Sequence, residues 1–170
     1  MDKEATCAER VDEQWEGRRE ELKVMFREYN GDALNDEQRA ELAKLGHDEA
    51  DQDDPLLLEY GLCLDHVEGD ESTPGYVRFV LSTGGPADEI RFYLGWNGGL
   101  VFAEYWFLDW FDGASINVTH EPVVRELHDW LEAGDAFKLA ESLTAEEIGR
   151  ERAHRALAAI QERETGWGRS

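Results

Sequence analysis

Apolar residues recur at helical spacing through the first quarter of the chain. Over residues 2–29 the apolar positions follow roughly the 3.6-residue period of a helix, and Asn30 ends the pattern. Asn35 or Asp36 is placed to cap a second, shorter helix that ends near residue 45. The pattern therefore predicts an N-terminal helical hairpin over residues 1–45.

The middle of the chain changes to the two-residue alternation of β-strands. The Leu-rich run of residues 56–65 favours a strand over a helix, because it contains Gly61 and lacks basic residues. Glycine-rich turns at residues 84–86 and 97–99 separate the clearest alternating runs. These runs are Tyr76 to Thr83, Glu89 to Leu94 and Leu100 to Trp110. Residues 46–113 are thus predicted to hold an acidic connector and a three- to four-stranded antiparallel meander.

Helical signals return after the predicted sheet. Thr119 is placed to cap a helix from Pro122 to about Ala133. A capping box at Thr144 begins a last helix, from Ala145 to about Arg163, so residues 119–163 are predicted to be a helical region. Residues 164–170 form a tail. The order of elements predicts one α+β domain, residues 1–170, with the helices packed on one face of the sheet.

Negative charge is concentrated in the predicted sheet region. The chain carries a net charge of −22, and residues 45–124 contain sixteen acidic residues against two basic ones, Arg78 and Arg91. Such a chain repels nucleic acid and attracts basic protein surfaces. No secretory signal precedes the first helix and no apolar run is long enough for a bilayer, so we expect a cytoplasmic protein.

No motif predicts catalysis, a cofactor or a metal site. The serines lack a GxSxG context, the glycine turns lack GxGxxG, and the five histidines lack ligand spacing. The run that begins at Asp51 starts like an EF-hand loop but has Leu56 where glycine is required. Cys63 lies in an apolar run and is predicted to be a buried thiol. We therefore expect a protein that is not an enzyme.

The densest local feature is the run Glu104–Gly113, which joins five aromatic residues to three acids. It has two interpretations: an interaction surface, or a central strand whose alternate residues fill the core. On the second interpretation Asp109 is a carboxylate in apolar surroundings, which requires a partner. Arg78 and Arg91 on the neighbouring strands are the predicted partners.

Carboxylates at regular spacing can occupy a channel that normally holds DNA or RNA. Acids two residues apart on a strand lie about 6.6 Å apart, and acids four apart on a helix lie about 6 Å apart, similar to successive phosphates. A solvated loop without a partner is the alternative for each single acid. The predicted partner-binding residues are Asp48, Glu49, Asp51, Asp53, Asp54, Asp65, Glu68, Asp70, Glu71, Trp106, Asp109, Trp110 and Asp112.

Three segments resemble short acidic proteins of unknown function that plasmids and other mobile elements encode. They are LEYGLCLD (Leu58–Asp65), STGGPADEIRFY (Ser82–Tyr93) and EYWFLDWFDGA (Glu104–Ala114). The resemblance covers about residues 56–132 and carries over no catalytic residues. It implies a context in which inhibitors of host defence, including anti-restriction and anti-CRISPR proteins, are common and often acidic.

Three functional hypotheses follow. The first is a non-enzymatic inhibitor of a host nucleic-acid-directed defence complex, which binds a basic surface through acids and aromatics and mimics DNA or RNA. The second is an acidic adaptor or regulatory module, from a salt-adapted host, without a nucleic-acid-binding target. The third and weakest is a hydrolase that uses carboxylates. One continuous acidic face favours the first hypothesis, and acids spread evenly favour the second.

Overall fold

Five strands form the centre of the protein, and their hydrogen-bonded order is the order in the sequence. The computed structural model describes residues 5–45, residue 57 and residues 60–143. Every neighbouring pair of strands is antiparallel, so the sheet is an open meander. The strands are β1 (Cys63–Val67), β2 (Tyr76–Ser82), β3 (Ala87–Leu94), β4 (Leu100–Asp109) and β5 (Asp112–Asn117).

Three complete helices accompany the sheet: α1 (Cys7–Tyr29), α2 (Asp36–Lys44) and α3 (Pro122–Ala133). Residues 136–143 are also helical up to the end of the described part. Capping boxes begin α1, at Thr6 with Glu9, and α2, at Asn35 with Gln38. The cap of α3 is Glu121, so the predicted cap at Thr119 is wrong. The predicted last helix lies outside the described residues.

The hydrophobic core lies between the helices and one face of the sheet. Trp15 of α1 packs on Tyr105 of β4, with ring centroids 5.2 Å apart. Phe92 of β3 contacts His128 of α3 and Phe137 of the last described helix. Core residues on the strands are Val77, Phe79, Leu81, Ile90, Phe92, Ala103, Tyr105 and Phe107. The predicted α+β class and antiparallel meander are therefore confirmed.

Two details of the sheet differ from the prediction. A fifth strand, β5, continues after Asp112, where the sheet was predicted to end. The first strand begins only at Cys63, and this thiol is exposed at the sheet's edge, so its predicted burial is wrong. None of the helices in the described part of the chain is long and apolar enough to cross a membrane.

Candidate partner-binding surface

The predicted acidic residues fall in different parts of the molecule. Asp48, Glu49, Asp51, Asp53 and Asp54 lie outside the described residues. The turns of the meander alternate between the two ends of the sheet, so the β1–β2 turn lies at the opposite end from the β4–β5 turn. The predicted partner-binding residues that the structure describes are therefore not brought together in one site.

The β1–β2 turn carries three of the predicted acids, and all three are exposed. The carboxylate of Asp70 accepts hydrogen bonds from the backbone N–H groups of Ser72 and Thr73, each at 2.8 Å. The bond from Ser72 is the main reason that the pKa of Asp70 is lowered. Asp70 thus shapes the turn, whereas Glu68 and Glu71 form no ion pair with another described residue.

Asp65 lies on the sheet face opposite the core. Its carboxylate pairs with Arg78 on β2 at 3.1 Å, and both side chains are more than two-fifths exposed. Exposed pairs of this kind contribute little to stability, about 0–1 kcal/mol. Asp65 remains accessible to a partner, although Arg78 already offsets part of its charge.

Trp106 stands on the same face and forms part of an internal cluster. The Arg91 guanidinium lies 4.0 Å from the Trp106 ring centroid and 4.8 Å from that of Tyr76. Arg91 also donates a 2.6 Å hydrogen bond to the buried carboxylate of Glu89. The Trp106 indole N–H donates to Glu104 at 3.0 Å. The half-buried Trp106 is therefore held by its own sheet.

Asp109 and Asp112 fix the first helix to the sheet. Asp109 forms a 2.8 Å ion pair with Arg10 of α1, so the predicted partners Arg78 and Arg91 are wrong. They face the other side of the sheet, and α1 is the nearer source of a cation. Asp112 accepts a 2.6 Å hydrogen bond from the backbone N–H of Cys7, which is the main reason that its pKa is lowered. Both acids have a structural role.

The turn between these two acids exposes two aromatic side chains. Trp110 is 88% exposed and Phe111 is 102% exposed. Trp110 also adopts a φ of 52°, in the left-handed region that glycine adopts most easily. A bulky residue with positive φ at an exposed position costs stability and gives no packing in return. Trp110 is therefore an exposed aromatic in a strained turn, which makes it a candidate contact for a partner.

A groove lined by carboxylates runs between α1 and β5. Its volume is about 550 Å³, and we call it the acidic groove. Trp15 and Ile116 supply its apolar surface, and Arg19 is the one basic residue in its lining. The remaining lining residues are Asp12, Glu13, Glu16, Asn117 and Glu121. Four carboxylates thus face one guanidinium in a concave surface beside an edge strand.

β5 is an edge strand of the sheet, since no other described strand lies beside it, and α1 packs against it. In an antiparallel pair, every second residue of a strand bonds to its partner strand. The N–H of Val118 bonds to the carbonyl of Ala103 on β4, so the even-numbered residues of β5 are the ones that face β4. By this alternation the backbone groups of Gly113, Ser115 and Asn117 point away from β4. The N–H of Gly113 donates to the Asp112 side chain at 3.0 Å, so the backbone groups of Ser115 and Asn117 are the ones with which an extended peptide would pair.

A second cluster of charged residues lies inside the core and could be mistaken for a catalytic site. Asp88 accepts two hydrogen bonds from Arg18, at 2.7 and 3.1 Å, and one from the Tyr105 hydroxyl at 2.8 Å. Ser82, which a β-bulge places opposite Asp88, donates another. Arg18 also pairs with Glu21, to which Tyr60 donates.

The pKa values in this cluster favour a structural role. Burial raises the pKa of Tyr60 and of Tyr105, and the nearby carboxylates Glu21 and Asp88 raise them further. Burial lowers the pKa of Arg18, but its hydrogen bonds to Asp88 and Glu21 and the negative charge of its neighbours together more than offset this, so the pKa is raised overall. The two tyrosines therefore stay protonated and Arg18 stays charged near neutral pH, which suits a fixed network and not proton transfer.

Sequence reasoning missed the acidic groove because its residues are far apart in the chain. Asp12, Glu13 and Glu16 lie on the polar side of α1, outside the acid-rich block of residues 45–124. Only the packing of α1 on β5 places them beside Asn117 and Glu121. Their one local signal is a cluster of three acids within a single helical turn and a half.

Comparison of the chain with protein-family models, with curated proteins and with solved structures finds no match.

Proposed function

We propose that this chain is a non-enzymatic inhibitor that binds a basic surface of a nucleic-acid-directed defence complex, of the anti-CRISPR or anti-restriction type, in the cytoplasm. The observation that carries the proposal is the acidic groove beside the edge strand β5. A basic protein segment is the ligand that such a surface favours. The resemblance to proteins of mobile elements suggests the kind of complex that would supply it.

The groove and the edge strand favour one mode of binding. An extended basic segment can pair with the backbone of β5 while its Lys or Arg side chains enter the acidic groove. Trp110 and Phe111 directly precede the six-residue strand, so they lie within about 20 Å of its far end. The exposed aromatics at the start of β5 would hold an apolar side chain of the bound segment, and the carboxylates at its far end would hold a basic one.

Electrostatics supports competition with nucleic acid. Asp12 and Glu16 are one helical turn apart, at about 6 Å, similar to successive phosphates on one strand. The net charge of −22 adds a long-range attraction that brings a basic channel and this surface together. Binding of this kind weakens as salt screens the charges.

The first experiment measures protection of a plasmid. The chain is expressed in strains that carry defined restriction or CRISPR effectors, and transformation by a targeted plasmid is counted. We expect one effector class to lose interference when the wild-type chain is present. A panel in which no effector is inhibited would overturn the proposal.

The second experiment locates the surface with the purified effector that the first identifies. Replacing Asp12, Glu13 and Glu16 by lysine should weaken binding roughly tenfold or more, which is about 1.4 kcal/mol. The matched control replaces Asp32, Glu37 and Glu141 by lysine, which makes the same change in net charge at exposed sites elsewhere. Equal losses from both triple variants would mean that overall charge, not the groove, drives binding.

An acidic adaptor or regulatory module without a nucleic-acid-binding target is the alternative. The observation that favours it is the spread of exposed acids onto α2 and the β1–β2 turn, as salt adaptation would produce. On this alternative, no effector is inhibited and stability rises with salt concentration. The plasmid assay therefore separates the two functions.

A further inference from the structure

His128 faces hydrogen-bond acceptors through both of its ring nitrogens. The side chain lies on α3 and is buried, with 4% of the residue exposed. Its Nε2 lies 3.0 Å from the backbone carbonyl oxygen of Gly98, in the β3–β4 turn. Its Nδ1 lies 2.9 Å from Oδ1 of Asp129. A carbonyl only accepts a hydrogen bond, so Nε2 carries the proton of a neutral ring.

This assignment leaves the lone pair of Nδ1 directed at a carboxylate. The Asp129 side chain is 78% exposed, and a carboxylate oxygen accepts hydrogen bonds but does not donate them. Two lone pairs 2.9 Å apart repel each other. The arrangement is attractive only with a positive species at Nδ1, either a second ring proton or a metal ion.

Glu132 adds a third ligand atom at the same place. It follows His128 by four residues on α3, so the two side chains lie on the same face of the helix. Its carboxylate lies over Gly98, where a Cβ atom would come within 3.1 Å of Oε1. Ligand atoms of His128, Asp129 and Glu132 all lie within 4.8 Å of one another.

We propose that His128, Asp129 and Glu132 bind a divalent transition-metal ion such as Zn²⁺ or Mn²⁺. Two ligands at about 2.0–2.1 Å from a tetrahedral Zn²⁺ stand about 3.3 Å apart, so Nδ1 and Oδ1, which are 2.9 Å apart, need only a small rotation of the exposed Asp129 side chain to hold the ion. The Glu132 carboxylate lies farther from the other two ligand atoms, up to 4.8 Å, and a rotamer change of this exposed side chain brings it to the ion. Imidazole with two carboxylates is a donor set that suits these ions.

The bond to Gly98 supplies the outer support that metal-bound histidines generally have. A histidine that ligates through one nitrogen donates the other N–H to a carbonyl or carboxylate, which fixes the ring and its tautomer. Here that acceptor belongs to the β3–β4 turn, so the ion would join α3 to the sheet through one ring. The site lies on different elements from the acidic groove, and it does not depend on the proposed function.

The test titrates the full chain, stripped with a chelator, with zinc chloride and separately with manganese chloride. Calorimetry should give one saturable site at neutral pH, and ¹⁵N NMR of the imidazole should show the ion at Nδ1 while Nε2 keeps its proton. Asp129→Asn and Glu132→Gln change exposed side chains and should keep the fold. Each should lower affinity about tenfold or more.

Glu126→Gln is the matched control, because Glu126 is an exposed acid elsewhere on α3 and should leave the affinity unchanged. Weak binding at several sites that neither Asp129→Asn nor Glu132→Gln alters would overturn the proposal, since it would report the general acidity of the surface. A His128 ring that carries protons on both nitrogens at neutral pH when the ions are present would overturn it too, because a proton would then occupy the position of the metal.

Discussion

The backbone N–H of Cys7 donates a 2.6 Å hydrogen bond to the carboxylate of Asp112, which is 105 residues later in the chain. Cys7 is the first residue of α1 and Asp112 is the first of β5. The bond places a negative charge at the positive end of the helix. Together with the Arg10–Asp109 ion pair, it holds the exposed β4–β5 turn between two fixed points.

Replacing Asp112 by asparagine should change how stability depends on pH. The lowered pKa of Asp112 means that its stabilisation is complete above the ordinary aspartate pKa, about 3.9. This stabilisation is lost as the pH falls from the aspartate pKa of the unfolded chain to the lower pKa of the native protein. In that range the unfolded chain binds the proton more readily than the native protein does. Urea unfolding across the acid range should show a shallower loss of stability in the variant.

Asp32→Asn is the control for this measurement, because Asp32 is exposed and no described side chain bonds to it. Its unfolding free energy should follow the wild-type curve at every pH. If Asp112→Asn also follows that curve, the Cys7–Asp112 bond has no part in the acid response.

Asp88→Asn should strongly destabilise the protein. The variant leaves Arg18 without its buried countercharge, and removing one partner of a buried pair costs about 3–5 kcal/mol. Asp65→Asn is the comparison, since its pair with Arg78 is more than two-fifths exposed and contributes at most about 1 kcal/mol. Chemical denaturation of both variants measures the difference. Similar losses would show that the Asp88 cluster is not the rigid network described above.

Trp110→Gly should leave the fold intact and stabilise it by about 1 kcal/mol, because glycine adopts positive φ without strain. Phe111→Gly is the matched control at the adjacent exposed position, where φ is not positive. At residue 111 glycine should lower the free energy of unfolding by about 0.5–1 kcal/mol, because it raises the conformational entropy of the unfolded chain. Thermal unfolding compares the two. A Trp110→Gly variant less stable than the wild type would remove the argument that this tryptophan is kept for binding.

Arg91→Lys should not be a conservative change. Lysine keeps the charge but loses the planar group that stacks between Trp106 and Tyr76 and bonds to buried Glu89. We expect a loss of about 1–2 kcal/mol together with a changed tryptophan fluorescence spectrum. Arg78→Lys, at an exposed position on the next strand, should stay within about 0.5 kcal/mol.

The alternation of apolar residues made most of the sheet predictable. It located β2, β3 and β4, while helical periodicity located α1 and the cap at Asn35 or Asp36 located α2. β5 was missed because its residues, Asp112–Asn117, are small or polar and have low β-propensity. The preceding turn, Trp110–Phe111, also lacks the glycine or asparagine that usually indicates a hairpin. Pairing with β4 outweighs both local signals.

The partners of charged residues were less predictable than the strands. Asp109 was assigned to arginines on neighbouring strands, but a helix from the opposite end of the sequence supplies its cation. Asp88 was overlooked because its four donors come from α1, β2 and β4. The same limit applies to the acidic groove. Such contacts depend on where α1 crosses the sheet. Helical periodicity predicts which face of α1 is buried, but it does not predict where α1 lies on the sheet.

The carboxylates beside β5 oppose the pairing of two copies along this edge. A free edge strand is a template for a second copy, and fibrous assembly begins with such edge-to-edge pairing. Two copies that met along β5 would bring two acidic grooves together, and their like charges would repel. Salt weakens this protection, since the screening length falls from about 10 Å at 0.1 M to about 3 Å at 1 M. The acidic edge strand thus repels a second copy of this chain and attracts a cationic segment.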